Sequence, residues 1–334
     1  MKKAFISDTI VPMESTKRRV LSGVQPSGRL HIGNYFGAIK QFVALQETHD
    51  CTFMIADLHA LNTVQDEVRM RQQIFDIVVD YLALGIDPKK CIIFKQSAVL
   101  AHPAMAWIFD TLTTMPYLMR AHAFKDAEAK NKEISVGVFN YPLLMASDIL
   151  LYSPDIVPVG ADQKQHVEIA RDAAEKFNRI YKPVFKIPEA YIMSETAVVP
   201  GTDGRKMSKS YNNTIPLFAT DEEITKAVMS IPTDSKGKDE EKNPDDIVLY
   251  QIHKLFDASD ELRARYTSGL GYKDAKELLI KDLIAFIAPL RERRAKYEQD
   301  PKLVQEILLK GAMCANEVAM RKLTDVYEAV GLTD

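Results

Sequence analysis

Glycine is scarce in this sequence, at 14 of 334 residues, which is about 4% against the roughly 7% of an average protein. Cysteine is scarcer still, and Cys51, Cys91 and Cys314 are far apart and form no CxxC pair. Their spacing argues against a zinc or iron–sulfur site and against a disulfide framework, so no metal-ligating residue is predicted. A reducing, cytoplasmic setting is the simplest one for such a chain.

Long apolar runs and an excess of positive charge are also missing. No run of about 18 apolar residues occurs, so no helix is predicted to span a membrane. Residues 1–18 lack the apolar core of a signal peptide and are expected to form a polar extension. The net charge is −3, so a nucleic-acid partner would have to bind a local basic patch. With 46% hydrophobic and 27% charged residues, the composition excludes the disordered and low-complexity classes.

Short apolar runs alternate with amphipathic segments in the first half of the chain. The apolar runs predict strands over residues 19–24, 51–56, 91–94 and 156–160. The amphipathic segments predict helices over residues 33–46, 66–84 and 162–178. Strands that alternate with helices imply a parallel sheet with helices on both faces. After about residue 215 only helical patterns remain, over residues 221–229, 247–256, 275–297 and 301–330.

We therefore predict an α/β fold, a Rossmann-like doubly wound parallel sheet with a C-terminal helical domain. The length suggests about two domains. The predicted parts are an N-terminal extension over residues 1–18, a catalytic domain over 19–214 and a helical domain over 215–334.

One stretch near the N-terminus is rich in glycine. Residues 25–34, QPSGRLHIGN, leave the first predicted strand and open a helix. The first backbone N–H groups of a helix have no internal partner and can bind a phosphate, and glycine lets the backbone approach a ligand closely. The segment is neither a GxGxxG fingerprint nor a P-loop. By itself, it fits a tight turn without a ligand equally well.

A second motif, Lys206-Met207-Ser208-Lys209-Ser210, follows Gly201 and Gly204. Two lysines with serine hydroxyls beside them suit a polyphosphate, because each ammonium offers a compact charge with three donors. By itself, this motif also fits a solvated basic loop.

Asp148 interrupts a strongly apolar stretch, residues 143–152. On a helix it shares a face with apolar side chains, where a lone carboxylate is costly unless it is paired. It could form a structural hydrogen bond or ion pair, or it could accept a hydrogen bond from a substrate. An ionised carboxylate only accepts, so a site built on that bond would select a substrate with a donor and reject one without it, because the carboxylate would be left unpaired.

Together the two motifs resemble the paired signatures of class I aminoacyl-tRNA synthetases, HIGN at residues 31–34 and KMSKS at 206–210. HIGN carries Asn34 in place of the last histidine of the commoner HIGH, a variant familiar in the tryptophan branch. Four further segments resemble the bacterial type of this tryptophan branch, namely residues 25–28, 56–60, 141–152 and 157–166. The resemblance as a whole covers residues 19–332.

The resemblance implies an ATP-dependent ligase that works in two steps. The carboxylate of L-tryptophan would attack the α-phosphate of ATP, giving tryptophanyl-adenylate and pyrophosphate. The adenylate would then acylate tRNA(Trp), which the helical domain would hold, and AMP would be released. Mg²⁺ is expected on the ATP phosphates, without a dedicated protein cage. A homodimer is expected, and no membrane partner.

The resemblance also implies site residues. The ATP-binding residues would be Gln25, Pro26, Ser27, Gly33, Asn34, Gly160, Ala161, Asp162, Ile192, Lys206, Met207, Ser208, Lys209 and Ser210. Gln25, Asn34, Lys206 and Lys209 would be catalytic, and the lysines would stabilise the charge that grows on the leaving pyrophosphate. Tryptophan would be bound by Asp148, Gln163, His59, Met145 and Val159. One further lysine that contacts ATP would be Lys125, Lys130 or Lys132.

Several alternatives stay open on the residues alone. A tyrosine phenol also donates a hydrogen bond, so Asp148 does not exclude a tyrosine–tRNA ligase. The other two alternative functions are a nucleotidyltransferase of the same fold and an inactive paralogue that binds RNA. A basic cluster, Arg291, Arg293, Arg294 and Lys296, could contact RNA phosphates or form an ordinary solvated helix face.

Overall fold

The computed structural model describes residues 17–129, 133–160, 163–192, 199–238 and 240–333. Within them, a single five-stranded sheet has the order β3-β2-β1-β4-β5, and every pair is parallel. The strands are β1 (Arg19–Val24), β2 (Asp50–Ile55), β3 (Cys91–Lys95), β4 (Ile156–Val159) and β5 (Glu189–Ile192). The doubly wound parallel sheet predicted from the sequence is confirmed.

Helices account for most of the remaining chain. They are α1 (Ile32–Asn34), α2 (Lys40–Thr48), α3 (Asp57–Ala60), α4 (Glu67–Ala83), α5 (Ala101–Leu112), α6 (Met115–Leu118), α7 (His122–Ala129), α8 (Val136–Leu150), α9 (Lys164–Ile180), α10 (Asp221–Met229), α11 (Val248–His253), α12 (Asp260–Thr267), α13 (Tyr272–Glu298) and α14 (Pro301–Val330). A π-helical turn, Tyr35–Ile39, joins α1 to α2. No helix of the described residues is long and apolar enough to cross a membrane.

Two hydrophobic clusters cover the two faces of the sheet. Neighbouring residues of a strand point to opposite faces, so in β1 Val20 belongs to one cluster and Leu21 to the other. The first cluster joins the sheet to α4 and to α10–α13, and the second joins it to α5, α8, α9 and α14. The sheet is thus buried on both sides, as the continuous apolar strands predicted.

The last helix, α14, returns to the sheet. A side chain at Gly311 would place its Cβ 1.9 Å from the carbonyl oxygen of Ile93 in β3, so only glycine allows this close contact. Further along, Ala315, Ala319 and Leu323 are buried in the second cluster. The helical segment after residue 215 therefore packs on both faces of the sheet, and its boundary as a separate domain stays a prediction.

Candidate active site

Two of the predicted site residues lie directly at the carboxyl ends of neighbouring strands. Gln25 directly follows β1 and Gly160 directly follows β4. The chain runs outward from β1 to β3, then crosses to β4 on the other side of β1. In open α/β sheets, ligands bind in the crevice at such a reversal of strand order.

The turn after β1 is fixed by its backbone conformation and by a hydrogen bond from α4. Gly28 has a φ of +89°, a left-handed conformation that favours glycine. In the amide orientation that satisfies its neighbours, Gln73 of α4 donates to the carbonyl oxygen of Pro26 at 2.7 Å. The turn at residues 25–28 therefore presents a fixed backbone to the crevice.

HIGN forms the start of the following helix. The backbone N–H of His31 donates to Oδ1 of Asn34 at 3.0 Å. The His31 ring is buried, and its Nδ1 has no hydrogen-bond partner among the described residues. Burial, and then the nearby charge of Lys209, lower the pKa of His31 to about 4. The ring is therefore neutral at neutral pH, with one buried nitrogen that a ligand could bind.

Gly33 brings the two signature motifs together. A Cβ at Gly33 would lie 2.9 Å from Nδ1 of His31 and 3.4 Å from Cβ of Met207. Met207 is only 5% exposed and belongs to the first hydrophobic cluster. The tight contact of such a Cβ is with His31 inside HIGN, whereas the distance to Met207 is an ordinary van der Waals contact, so HIGN packs directly against KMSKS at Gly33.

Asn213 holds the KMSKS segment in its folded conformation. Its Oδ1 accepts from the backbone N–H of Ser208 at 2.8 Å. Its Nδ2 donates to Asp203 at 2.7 Å and to the carbonyl oxygen of Lys206 at 3.1 Å. Sequence reasoning missed this residue, because a polar residue after a lysine motif gives no sign that it will be buried.

Lys209 reaches from KMSKS to the turn after β1. Its ammonium donates to the carbonyl oxygens of Ser27 and Gly28, each at 3.0 Å, and burial lowers its pKa. Lys206 is exposed, while the hydroxyls of Ser208 and Ser210 are hydrogen-bonded to each other at 2.8 Å. The structure thus places Lys209 directly at the predicted phosphate-binding turn.

Three further contacts join the segment around HIGN to the segment that follows KMSKS. The backbone N–H of Ile32 donates to Ile215 at 3.0 Å, and that of Leu217 donates to Leu30 at 2.9 Å. Arg29 forms an ion pair with Glu223 of α10 at 2.8 Å. The segment after KMSKS is therefore joined to HIGN by backbone hydrogen bonds and by a charge pair.

Asp148 lies on α8 and is 2% exposed. Its Oδ2 accepts from Nε2 of His59 at 2.7 Å. Its Oδ1 accepts from Nδ1 of His102 at 2.6 Å and from Nε2 of Gln96 at 2.7 Å. Burial raises the pKa of the Asp148 carboxyl, but hydrogen bonds from His102 and His59 outweigh this effect and lower the pKa to about 2. The carboxylate is therefore ionised and acts only as an acceptor.

The structure describes only some of the remaining predicted residues. Val159 is buried, and Met145 and Gln163 are half-buried; the backbone N–H of Gln163 donates to Gly160 at 3.0 Å. Ile192 is the last residue of β5, and nothing is described of its side chain. Ala161, Asp162, Lys130 and Lys132 lie outside the described residues, and Lys125 is exposed on α7.

Two of the four residues in the predicted basic cluster form ion pairs with other helices of the chain. Arg294 pairs with Asp76 and Asp80 of α4 at 3.0 and 2.6 Å. Arg291 pairs with Asp221 of α10 at 2.8 Å. These arginines hold α13 against neighbouring helices, while Arg293 and Lys296 are exposed.

Comparison with known proteins places this geometry in a family. Residues 13–288 match the family model of class I tRNA synthetases (W and Y). The chain is 45% identical to a tryptophan–tRNA ligase of Fusobacterium nucleatum over 94% of this chain and 98% of that protein. It is 44% identical to the tryptophan–tRNA ligase of Campylobacter jejuni, over 94% of this chain and all of that protein.

A solved structure gives the same result in three dimensions. The crystal structure of tryptophanyl-tRNA synthetase from Campylobacter jejuni, complexed with ADP and tryptophan, superimposes with a TM-score of 0.88 at 44% identity. The match covers 94% of this chain and 99% of that one. With both motifs in contact at the carboxyl edge of the sheet, the chain belongs to the class I tRNA synthetases for tryptophan and tyrosine, in their tryptophan–tRNA ligase branch.

Proposed function

We propose that the chain activates L-tryptophan with ATP and transfers it to tRNA(Trp). The observation that carries the proposal is the contact of Lys209 with the turn after β1, at 3.0 Å from two of its carbonyl oxygens. This contact joins KMSKS to the glycine-rich turn after β1, at the edge of the sheet where open α/β folds bind their ligands. Relatives more than 40% identical over nearly the whole chain are tryptophan–tRNA ligases, which supports the same substrate here.

In the first step, an oxygen of the tryptophan carboxylate bonds to the α-phosphorus of ATP, and the bond to the pyrophosphate oxygen breaks. Positioning and charge stabilisation supply the catalysis, with no covalent intermediate on the enzyme. Gln25, Ser27 and Asn34 would line the phosphates. Lys209, and Lys206 when its exposed side chain turns inward, would stabilise the negative charge on the leaving pyrophosphate. In the second step, the terminal ribose hydroxyl of the tRNA attacks the adenylate carbonyl and AMP leaves.

We expect ATP to bind as its Mg²⁺ complex, with the ion on the phosphate oxygens. In the described part of the chain, no three His, Cys, Asp or Glu side chains are grouped in a way that could hold a metal ion. A cytoplasmic location is part of the proposal and is supported by the three free cysteines.

The test of the proposed function is ATP–pyrophosphate exchange, measured with each amino acid in turn. We expect exchange with tryptophan and at least 100-fold less with phenylalanine, because phenylalanine would bring no donor to the remaining acceptor position of the buried Asp148. Sites of this kind discriminate by about 10⁴-fold or more. Exchange with tyrosine and none with tryptophan would contradict the assignment and favour a tyrosine–tRNA ligase. Exchange without any amino acid would contradict both.

The chain is also proposed to form a homodimer, and the surface around α5 supports this. Leu100, which directly precedes α5, and Trp107, within it, are 77% and 67% exposed. Met115 and Met119 follow at 65% and 46%. An apolar surface of this kind on a folded chain marks an interaction site, and a second copy gives a closed two-fold assembly.

Light scattering on a size-exclusion column tests the dimer. The wild type should give twice the chain mass of 37.7 kDa. Trp107→Glu should shift the protein to the monomer, because a charge buried in an apolar interface is unpaired. The matched control is Leu332→Glu, which alters another exposed apolar residue, 63% exposed near the end of the chain, and should leave the dimer intact. A wild-type monomer, or a dimer unaffected by Trp107→Glu, would refute this interface.

A further inference from the structure

We propose that Gln96 and His102 are positioning residues for tryptophan. They hold the carboxylate of Asp148 so that its remaining acceptor position, on Oδ2, is presented to the indole N–H. This inference rests on the proposed function, because it concerns the amino-acid pocket of that reaction. Neither residue carries a sequence signature of its own, and both are 0% exposed.

The acceptor positions of Asp148 are nearly all in use. A carboxylate has about four of them. Oδ1 accepts from Gln96 and His102, and Oδ2 accepts from His59. Among the described residues, these donors leave one position, and it is on Oδ2. A single N–H donor completes the set, whereas an amino acid without a donor would leave a buried acceptor unpaired.

Two hydrogen bonds fix the orientation of the Gln96 side-chain amide. Its Nε2 donates to Asp148 at 2.7 Å, while its Oε1 accepts from the backbone N–H of Leu58 at 3.1 Å. A rotation of the amide would break both hydrogen bonds at once. Next to it, the backbone N–H of Ser97 donates to Asp57 at 2.8 Å. The end of β3 is thereby fastened to α3, the helix that carries His59.

His102 is held from its other side. Its Nδ1–H donates to Asp148, because the carboxylate can only accept. On the other side of the ring, Nε2 is hydrogen-bonded to the hydroxyl of Tyr152 at 2.9 Å. The ring also stacks on Phe94, with centroids 6.0 Å apart. His102 therefore keeps one orientation, and its Nδ1–H donor keeps Oδ1 turned away from the substrate.

The donor to Oδ2 of Asp148 and the donors to Oδ1 have different roles. His59 shares Oδ2 with the proposed substrate position, so it lies beside the ligand. Gln96 and His102 bind only Oδ1, so they act on the substrate through Asp148. A rigid acceptor supported by buried neighbours binds a donor better than one that must be ordered during binding.

The experiment measures the Kd of tryptophan and of 3-(benzothiophen-3-yl)alanine, whose ring has sulfur in place of the N–H. His102→Leu should raise the Kd of tryptophan about tenfold, equal to ~1.4 kcal/mol, and leave that of the analogue within about twofold. His102→Asn should restore tryptophan binding, since its amide nitrogen can replace Nδ1 as the donor. The kcat of exchange should stay near the wild-type value in both variants.

Gln96→Glu gives an independent readout in the pH profile. Its carboxylate would face Asp148 in place of the amide donor and weaken tryptophan binding at pH 8. As the pH falls, the two carboxyls share a proton, because adjacent carboxylates raise one pKa strongly. Binding should then recover, with no such trend in the wild type. The other titratable groups around Asp148, namely His59, His102 and Tyr152, are unchanged in this variant.

The outcomes separate the hypotheses. Equal losses for tryptophan and the analogue in His102→Leu, no rescue by His102→Asn, or a Gln96→Glu effect that does not depend on pH would each overturn the positioning role. Failure of the proposed function is visible earlier, because the wild type would then show no exchange with tryptophan.

Discussion

Asp148→Asn should raise the KM for tryptophan about 10- to 100-fold, because a hydrogen bond to a charged group contributes about 1.5–3 kcal/mol and 1.4 kcal/mol is tenfold. The KM for ATP should change by less than about twofold, since the nucleotide is proposed to bind elsewhere, at the ends of β1 and β4. Asparagine keeps the shape of the side chain but replaces one acceptor oxygen with a donor. Steady-state pyrophosphate exchange, with each substrate varied separately, measures both values.

Asp148→Ala has a second consequence, which the buried network explains. The donors of His59, Gln96 and His102 would all lose their acceptor in the core. Breaking a buried charged pair destabilises a protein by about 3–5 kcal/mol, so this variant should also unfold at a clearly lower temperature. Asp325→Asn, at an exposed carboxylate on α14, is the control for loss of charge alone. An unchanged KM for tryptophan in Asp148→Asn would refute the proposed role in substrate binding.

Local sequence patterns predicted most strands of the sheet. The strands at residues 19–24, 51–56 and 91–94 were visible because buried parallel strands are nearly continuous apolar runs. β5 was missed, since Glu189–Ile192 is only four residues long and its sequence EAYI is mixed. The π-helical turn at Tyr35–Ile39 was predicted as ordinary helix, because the apolar spacing does not distinguish the two. The return of α14 to β3 depends on Gly311, whose role is visible only in three dimensions.

The same limit applies to the site. Asp148 stood out in the sequence because a carboxylate in an apolar stretch needs a partner, but the pattern could not show which one. Its partners Gln96 and His102 are 52 and 46 residues away, in segments that only the sheet brings together. The structure also shows that the two interpretations of Asp148 are compatible. The carboxylate is paired within the core by three donors, and the one acceptor position that they leave is where the substrate is proposed to bind.

Lys209→Met should lower the kcat of pyrophosphate exchange about 100- to 1,000-fold, the usual cost of removing one donor that stabilises transition-state charge. The KM for tryptophan should stay within about twofold, because this lysine is proposed to act on the pyrophosphate and not on the amino acid. Lys226→Met, an exposed lysine on α10, should behave as the wild type. Lys206→Met should also lower kcat, and the double variant should lose less than the product of the single effects if both lysines act on one charge.

The hydrogen bonds of Lys209 within the protein provide a check on this interpretation. Its ammonium donates to the carbonyl oxygens of Ser27 and Gly28, so removing it would also weaken the contact between KMSKS and the turn after β1. That structural effect would appear as a lower unfolding temperature and a higher KM for ATP, with kcat little changed. A fall in kcat at saturating ATP, with the unfolding temperature preserved, is the result that only a role in charge stabilisation explains. A Lys209→Met enzyme with wild-type kcat would exclude that role.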